Sequence, residues 1–146
     1  MLTLLAVLTL SLPAQDALPP LDCKNPRNTL EINECAAAEV AAEEARMQTY
    51  LTRAMEAVRE SADSPELGED AAAQMAQAQA AWEAYAEAEC SAVYKQYEGG
   101  SIRGLMRLSC TRDLTLERTH HVWETYLTFL DSSEPLLPEP LPLGED

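Results

Sequence analysis

Basic residues are scarce in this chain. Ten Lys plus Arg stand against 25 Asp plus Glu, giving a formal net charge of −15 over 146 residues. That balance argues against nucleic acid, whose phosphates need the opposite sign. A basic protein or a cationic ligand is the electrostatically natural partner. Long apolar runs are lacking too. Leu2 to Leu12 is too short to span a bilayer, and nothing later is longer, so no stable membrane insertion is expected. No stretch alternates apolar and polar residues with β-branched enrichment, so strands are not expected. No C-x-x-C or compact Cys/His spacing points to zinc. Glu117-Arg118-Thr119-His120 has the E-x-x-H spacing of di-iron bundles, but such sites need a second copy and further inward carboxylates. No nucleophile is paired with a base in a recognisable motif, and no glycine-rich loop suits phosphate. The chain therefore offers no catalytic residues, no metal site and no cofactor site.

What the sequence does have begins with cysteine. The apolar run Leu2–Leu12, followed by Pro13-Ala14-Gln15 and Ala17, has the size of a signal-peptide core. We read residues 1–17 as a cleaved leader, with the cut at Ala14 or Ala17, and place the mature chain in the periplasm or outside the cell. In such an oxidising compartment Cys23, Cys35, Cys90 and Cys110 predict two disulfides. Asp22 argues against Cys23 being an acylated lipoprotein cysteine.

Three helical patterns follow. The first runs from about Thr29 to Ser61, with the stripe Ile32, Ala36, Val40, Glu43, Met47, Tyr50, Ala54 and Val58 at spacings of three and four. Asp63-Ser64-Pro65 breaks it, and Gly68 keeps the linker open. The second helix is expected from about Asp70 to Glu98, with Met75, Ala78, Trp82, Tyr85, Ala86, Cys90, Val93 and Tyr97 on its inner face. The third is expected from about Ile102 to Leu130, capped by Ser101, with the stripe Met106, Cys110, Leu114, Arg118, Val122, Tyr126 and Leu130. Gly99 and Gly100 make a short turn, which sets the last two helices antiparallel. The expected fold is all-α, a three-helix up-down-up bundle stapled by two disulfides. Residues 132–146, with Pro135, Pro138, Pro140 and Pro142, read as a mobile extended tail.

Counting heights along the bundle places Cys35, Cys90 and Cys110 near one end, and Cys23 on the lead-in can reach it. Four cysteines allow three connectivities. We expect bridges that tie Cys23 and Cys35 to the hairpin pair, Cys90 and Cys110. Eight residues further up lie Glu43 and Arg118, the charged members of their stripes. The same distance back along the second helix lies Trp82. A buried Glu43–Arg118 ion pair under the Trp82 indole would explain why each charge is tolerated. Glu31, Glu34, Glu39 and Glu44 crowd the first helix, and Glu83, Glu87, Glu89 and Glu98 the second. Together they predict an acidic surface near the disulfide end, suited to docking a cationic protein.

Several ordered motifs resemble the N-terminal domain of the LprI-type secreted lysozyme inhibitors. They are Asp22-Cys23, Glu31-Ile32-Asn33-Glu34-Cys35, Ala42-Glu43 followed by Tyr50, and Ala78-Gln79-Ala80-Ala81-Trp82 with Tyr85 and Cys90. Gly99-Gly100-Ser101 and Cys110…Leu114-Thr115…Arg118 complete the set. Ala86-Glu87 keeps the family's acid before the third cysteine but lacks its Arg. The resemblance implies an exported, disulfide-bonded helical domain over residues 18–131 and, for some members, lysozyme inhibition. On that basis we expect a non-enzymatic binding module that occludes a basic muramidase. Tyr97, Glu98 and Ser101 at the hairpin tip form the candidate contact set. The competing reading is a non-inhibitory envelope module for another cationic partner. The sequence leaves the oligomeric state open.

Overall fold

The computed structural model describes residues 21–131 and 133–140. The expected leader, 1–17, lies outside the described residues. Three helices make up the bundle, α1 (Thr29–Ser61), α2 (Pro65–Gln96) and α3 (Arg103–Tyr126), and no strand occurs among the described residues.

Each boundary has a local cause. The Asn28 side chain accepts the Glu31 amide at 3.0 Å, and Glu31 holds Arg27 at 2.6 Å, so the first turn of α1 is capped and carries an acid where the helix dipole favours one. Between α1 and α2 the chain spends only residues 62–64. The expected start of α2 near Asp70 is too late. Pro65 opens the helix instead of ending the linker, because proline suits the first helical position and Ser64 Oγ caps the Leu67 amide at 3.3 Å. Gly68 is therefore helical. A Cβ there would lie 3.0 Å from the Arg59 backbone, so glycine lets the two helices touch. At the other hairpin, Gly100 N–H donates to the Tyr97 carbonyl at 2.9 Å and Arg103 Nη1 to the Glu98 carbonyl at 2.9 Å. Ser101 is not the cap of α3. Ile102 is, without a side-chain bond, because the turn takes one residue more than expected.

The expected stripe of α1 is the buried one, through Val40, Glu43, Met47, Tyr50 and Ala54. In α3 the buried face is shifted. Thr115, Thr119 and Val122 point inward, while Leu130 is fully exposed past the helix end. Threonine reads as polar in a stripe. Here Thr111, Thr115 and Thr119 each return their hydroxyl to the carbonyl four residues back, at 3.1, 2.8 and 2.7 Å. That satisfies the oxygen locally and leaves the methyl for packing. Tyr85, expected inside, is 54% exposed.

The two ends of the bundle are held differently. Met47, Tyr50, Leu51, Ala54, Met75, Val122 and Leu127 form the apolar cluster in one half. The other end carries the disulfides, Cys23–Cys35 and Cys90–Cys110. The expected ties between the N-terminal and hairpin cysteines are thus corrected. The lead-in folds back onto the first turns of α1 and closes on Cys35, 12 residues on, while the α2–α3 hairpin closes on itself across 20. Loops of that length correspond to roughly 3 kcal/mol of stabilisation each in the chain-entropy account.

The tail is the largest departure from expectation. Residues 133–140 are seated as a strap instead of hanging free. The Leu136 amide donates to the Leu127 carbonyl at 2.8 Å, Trp123 Nε1 to the Leu137 carbonyl at 2.9 Å, and the Tyr50 hydroxyl to the Pro138 carbonyl at 2.8 Å. Leu136 and Leu137 pack on the core, and Pro140 is buried. Proline removes donors but not acceptors, so an extended Pro-rich segment docks well against side-chain N–H and O–H groups.

Candidate functional site

The charged layer expected around Glu43 exists with different partners. Glu43 is completely buried, and Arg46 Nη2 stands 2.6 Å from its Oε2. The contact lacks hydrogen-bond geometry and is Coulombic. Arg46 is one turn on along the same helix, so it reaches Glu43 without crossing the bundle. Arg118 on α3 is committed elsewhere, with Nε donating to Gln79 Oε1 at 3.0 Å. The expected Glu43–Arg118 pair is therefore replaced by a Glu43–Arg46 pair and an Arg118–Gln79 bond. Trp82, one turn beyond Gln79, packs on the apolar cluster. Gln79 and Arg46 were the residues missed. The i, i+3 spacing of Glu43 and Arg46 was the available signal for one. Nearby, burial pushes the Tyr50 phenol above its ordinary range, and the Arg46 charge opposes that shift.

Beside this layer a groove of about 510 Å³ opens between α1 and α2, with Thr111 and Thr115 of α3 beneath. Ala41, Ala45 and Ala86 leave the space, and Met47 and Trp82 form its apolar wall. Glu44, Glu83 and Glu87 stand at its rim, exposed. Both Glu87 oxygens meet Arg107 Nη2, at 2.8 and 2.7 Å, and one also accepts Ser91 Oγ at 3.1 Å. The Ser91 bond first, then Arg107, holds the Glu87 carboxyl below the usual range. Gln79 Nε2 donates to Glu83 at 3.1 Å, linking the rim to Arg118. Glu44 makes no ion pair among the described residues.

The hairpin tip has another character. Tyr97 is half-buried, and Glu98 and Ser101 are exposed. Lys95 Nζ sits 2.8 Å from Glu98, and Arg103 lies 5.4 Å over the Tyr94 ring. The tip is close to neutral, so the acidity lies on the flanks of the helices. His120 of the E-x-x-H motif contacts Glu139 of the strap at 3.2 Å and the Trp123 ring at 5.3 Å. Among the described residues no group of His, Cys, Asp and Glu is arranged to hold a metal ion, and no helix is long and apolar enough to cross a membrane.

Fold and site together define a class: a small acidic helical bundle, covalently stapled at one pole and grooved on one flank. Within that class the assignment is specific. The family model described as "Lysozyme inhibitor LprI" matches residues 23–121, and the chain belongs to that family. An uncharacterized protein of Rhizobium meliloti (strain 1021) is 29% identical over 116 residues, covering 77% of this chain and 84% of the relative. No solved structure matches. The matched span runs from the first cysteine to His121 in α3, so it takes in both disulfides, Glu43, Gln79, Trp82 and Arg118.

Proposed function

We propose that the chain is an exported inhibitor of a basic muramidase, acting by occluding the enzyme's cleft. Its membership of the lysozyme-inhibitor family over residues 23–121 carries the reading. The net charge of −15 supports it, because opposite fields speed encounter and orient the partners. Both disulfides fit an oxidising compartment outside the cytosol. A stapled scaffold also suits inhibition, since a surface already held in place loses little entropy on binding. Tyr97, Glu98 and Ser101 remain a contact set on this reading. With Lys95 and Arg103 beside them they would act through shape and hydrogen bonding, and the flanks would supply the attraction.

The test is the clearing of a bacterial cell-wall suspension by lysozyme, with and without the mature protein. Slower clearing, saturating near equimolar protein and weakening with salt, is expected. Unimpeded clearing by several lysozyme types at excess protein rejects inhibition.

A further inference from the structure

We propose that the α1–α2 groove takes a single lysine or arginine side chain from a basic protein partner. The choice of a protein partner rests on the inhibitor reading, and the choice of side chain rests on the groove itself. A volume of about 510 Å³ is ample for one long side chain. The walls match such a side chain along its length. Met47 and the alanines offer apolar surface for a methylene stem, and the half-buried Trp82 indole presents a ring to its charged end. The rim matches its sign. Glu44, Glu83 and Glu87 face the opening, and Arg107 answers Glu87. Glu83 receives a neutral donor from Gln79, and Glu44 makes no ion pair among the described residues. A cation entering the groove meets carboxylates whose charge is not yet balanced.

Other occupants fit less well. An apolar side chain would leave the rim uncompensated. A second copy of this chain would bring another −15 into contact with the first. A bare metal ion lacks ligands, since the described residues hold no suitable cluster. The hairpin tip, with Lys95 and Arg103 around Glu98, is the wrong place for a positive side chain. The acidic side chains on the second helix, noted in the sequence as a surface, acquire a defined role here: Glu83 and Glu87 frame a slot.

The experiment titrates the isotope-labelled mature protein with a tetra-arginine peptide and, separately, with a basic muramidase, at low and at physiological salt. The Trp82 indole N–H and the Ala45, Ala86 and Thr115 amides are the reporters. Two variants are compared with wild type: Glu44→Lys, which reverses an exposed charge, and Ala41→Trp, which fills the groove without changing charge. Glu124→Lys, an exposed position on the far part of α3 away from the groove and the hairpin tip, is the control. We expect groove resonances to move with the peptide, both groove variants to abolish the movement, and the control variant to leave it unchanged. Muramidase affinity should fall about tenfold in Glu44→Lys. Shifts confined to the hairpin tip overturn the proposal. So do shifts that grow with protein concentration alone, which would mean that a second copy fills the groove. A muramidase slowed equally by wild type and both groove variants also overturns the groove and leaves inhibition standing. Groove shifts with the peptide, with no muramidase slowed, reject inhibition and leave the cation slot standing.

Discussion

Removing Arg46 tests the charge pairing inside the bundle. Glu43 is wholly buried, and the Arg46 guanidinium stands 2.6 Å away as its counter-charge, itself 22% exposed. Stripping one partner from a buried pair costs about 3–5 kcal/mol, because the remaining charge keeps its desolvation penalty. Partial exposure of Arg46 lets water screen part of that, so about 2–3 kcal/mol is the expected loss for Arg46→Met. For a domain of this size each kcal/mol moves the melting temperature by about 3–5 °C, so the midpoint should fall by about 10 °C. The assay is thermal unfolding by circular dichroism at pH 7 with the disulfides intact. The double variant Glu43→Met/Arg46→Met should recover most of the loss, since it removes both charges. Arg118→Met should cost only about 1 kcal/mol, the worth of its bond to Gln79. If Arg118→Met destabilises as much as Arg46→Met does, or the double variant recovers nothing, the pairing described here is wrong.

Three further outcomes follow from the same geometry. Tyr50→Phe combined with Trp123→Phe deletes two of the bonds that seat the strap. We expect about 2 kcal/mol of destabilisation and much faster proteolysis within 133–140; unchanged proteolysis would mean that the strap holds without them. Gly68→Ala would normally stabilise a helix, but here the new Cβ would meet the Arg59 backbone at 3.0 Å, so denaturant unfolding should show a loss of about 1–3 kcal/mol rather than a gain. Acid should weaken the fold. Bonds from Arg27, from the Glu66 amide and Ser64, from Ser91 and Arg107, and from Ser133 hold Glu31, Glu66, Glu87 and Asp131 below their ordinary values of 4.5 for Glu and 3.8 for Asp. Carboxyls depressed in the folded state contribute stability above those ordinary values and lose it as pH falls through the folded ones. Melting temperature should therefore be level near neutrality and decline below about pH 4.5; a rise on acidification would contradict these assignments.

Much of the fold was legible because helical periodicity survives in the sequence. The α1 stripe, the glycine turn after α2 and the shared pole of the four cysteines all rest on counting residues along a helix. The errors share a different cause: a residue type was read by its commonest role. Pro65 was read as a breaker, yet its fixed φ and missing N–H suit the start of α2. Thr115 and Thr119 have no place in the expected α3 stripe, though the preceding turn satisfies their hydroxyls and lets them pack inward. The prolines after Ser132 suggest freedom, although the carbonyls of that segment remain good acceptors, Pro138 for Tyr50 and Leu137 for Trp123. At the site, burial of Glu43 was legible from its place in the stripe, whereas its partner was not. Cross-bundle contacts depend on helix rotation to within a fraction of a turn, and the sequence does not encode that directly. The groove was invisible for the same reason. Alanine at 41, 45 and 86 reads as helix propensity, and only packing reveals the gap such small side chains leave.

The pairing of cysteines has a bearing on how the molecule matures. Cys23 joins Cys35, and Cys90 joins Cys110, so each thiol meets its immediate successor along the chain. On the proposed export route, an oxidase that joins thiols in the order they emerge from a translocation channel would make the native bonds at the first attempt. The first ring could close before the second helix was delivered, and neither would need to be opened again. Such a chain should reach its oxidised form without help from a disulfide isomerase, at a rate set by the supply of oxidant rather than by reshuffling.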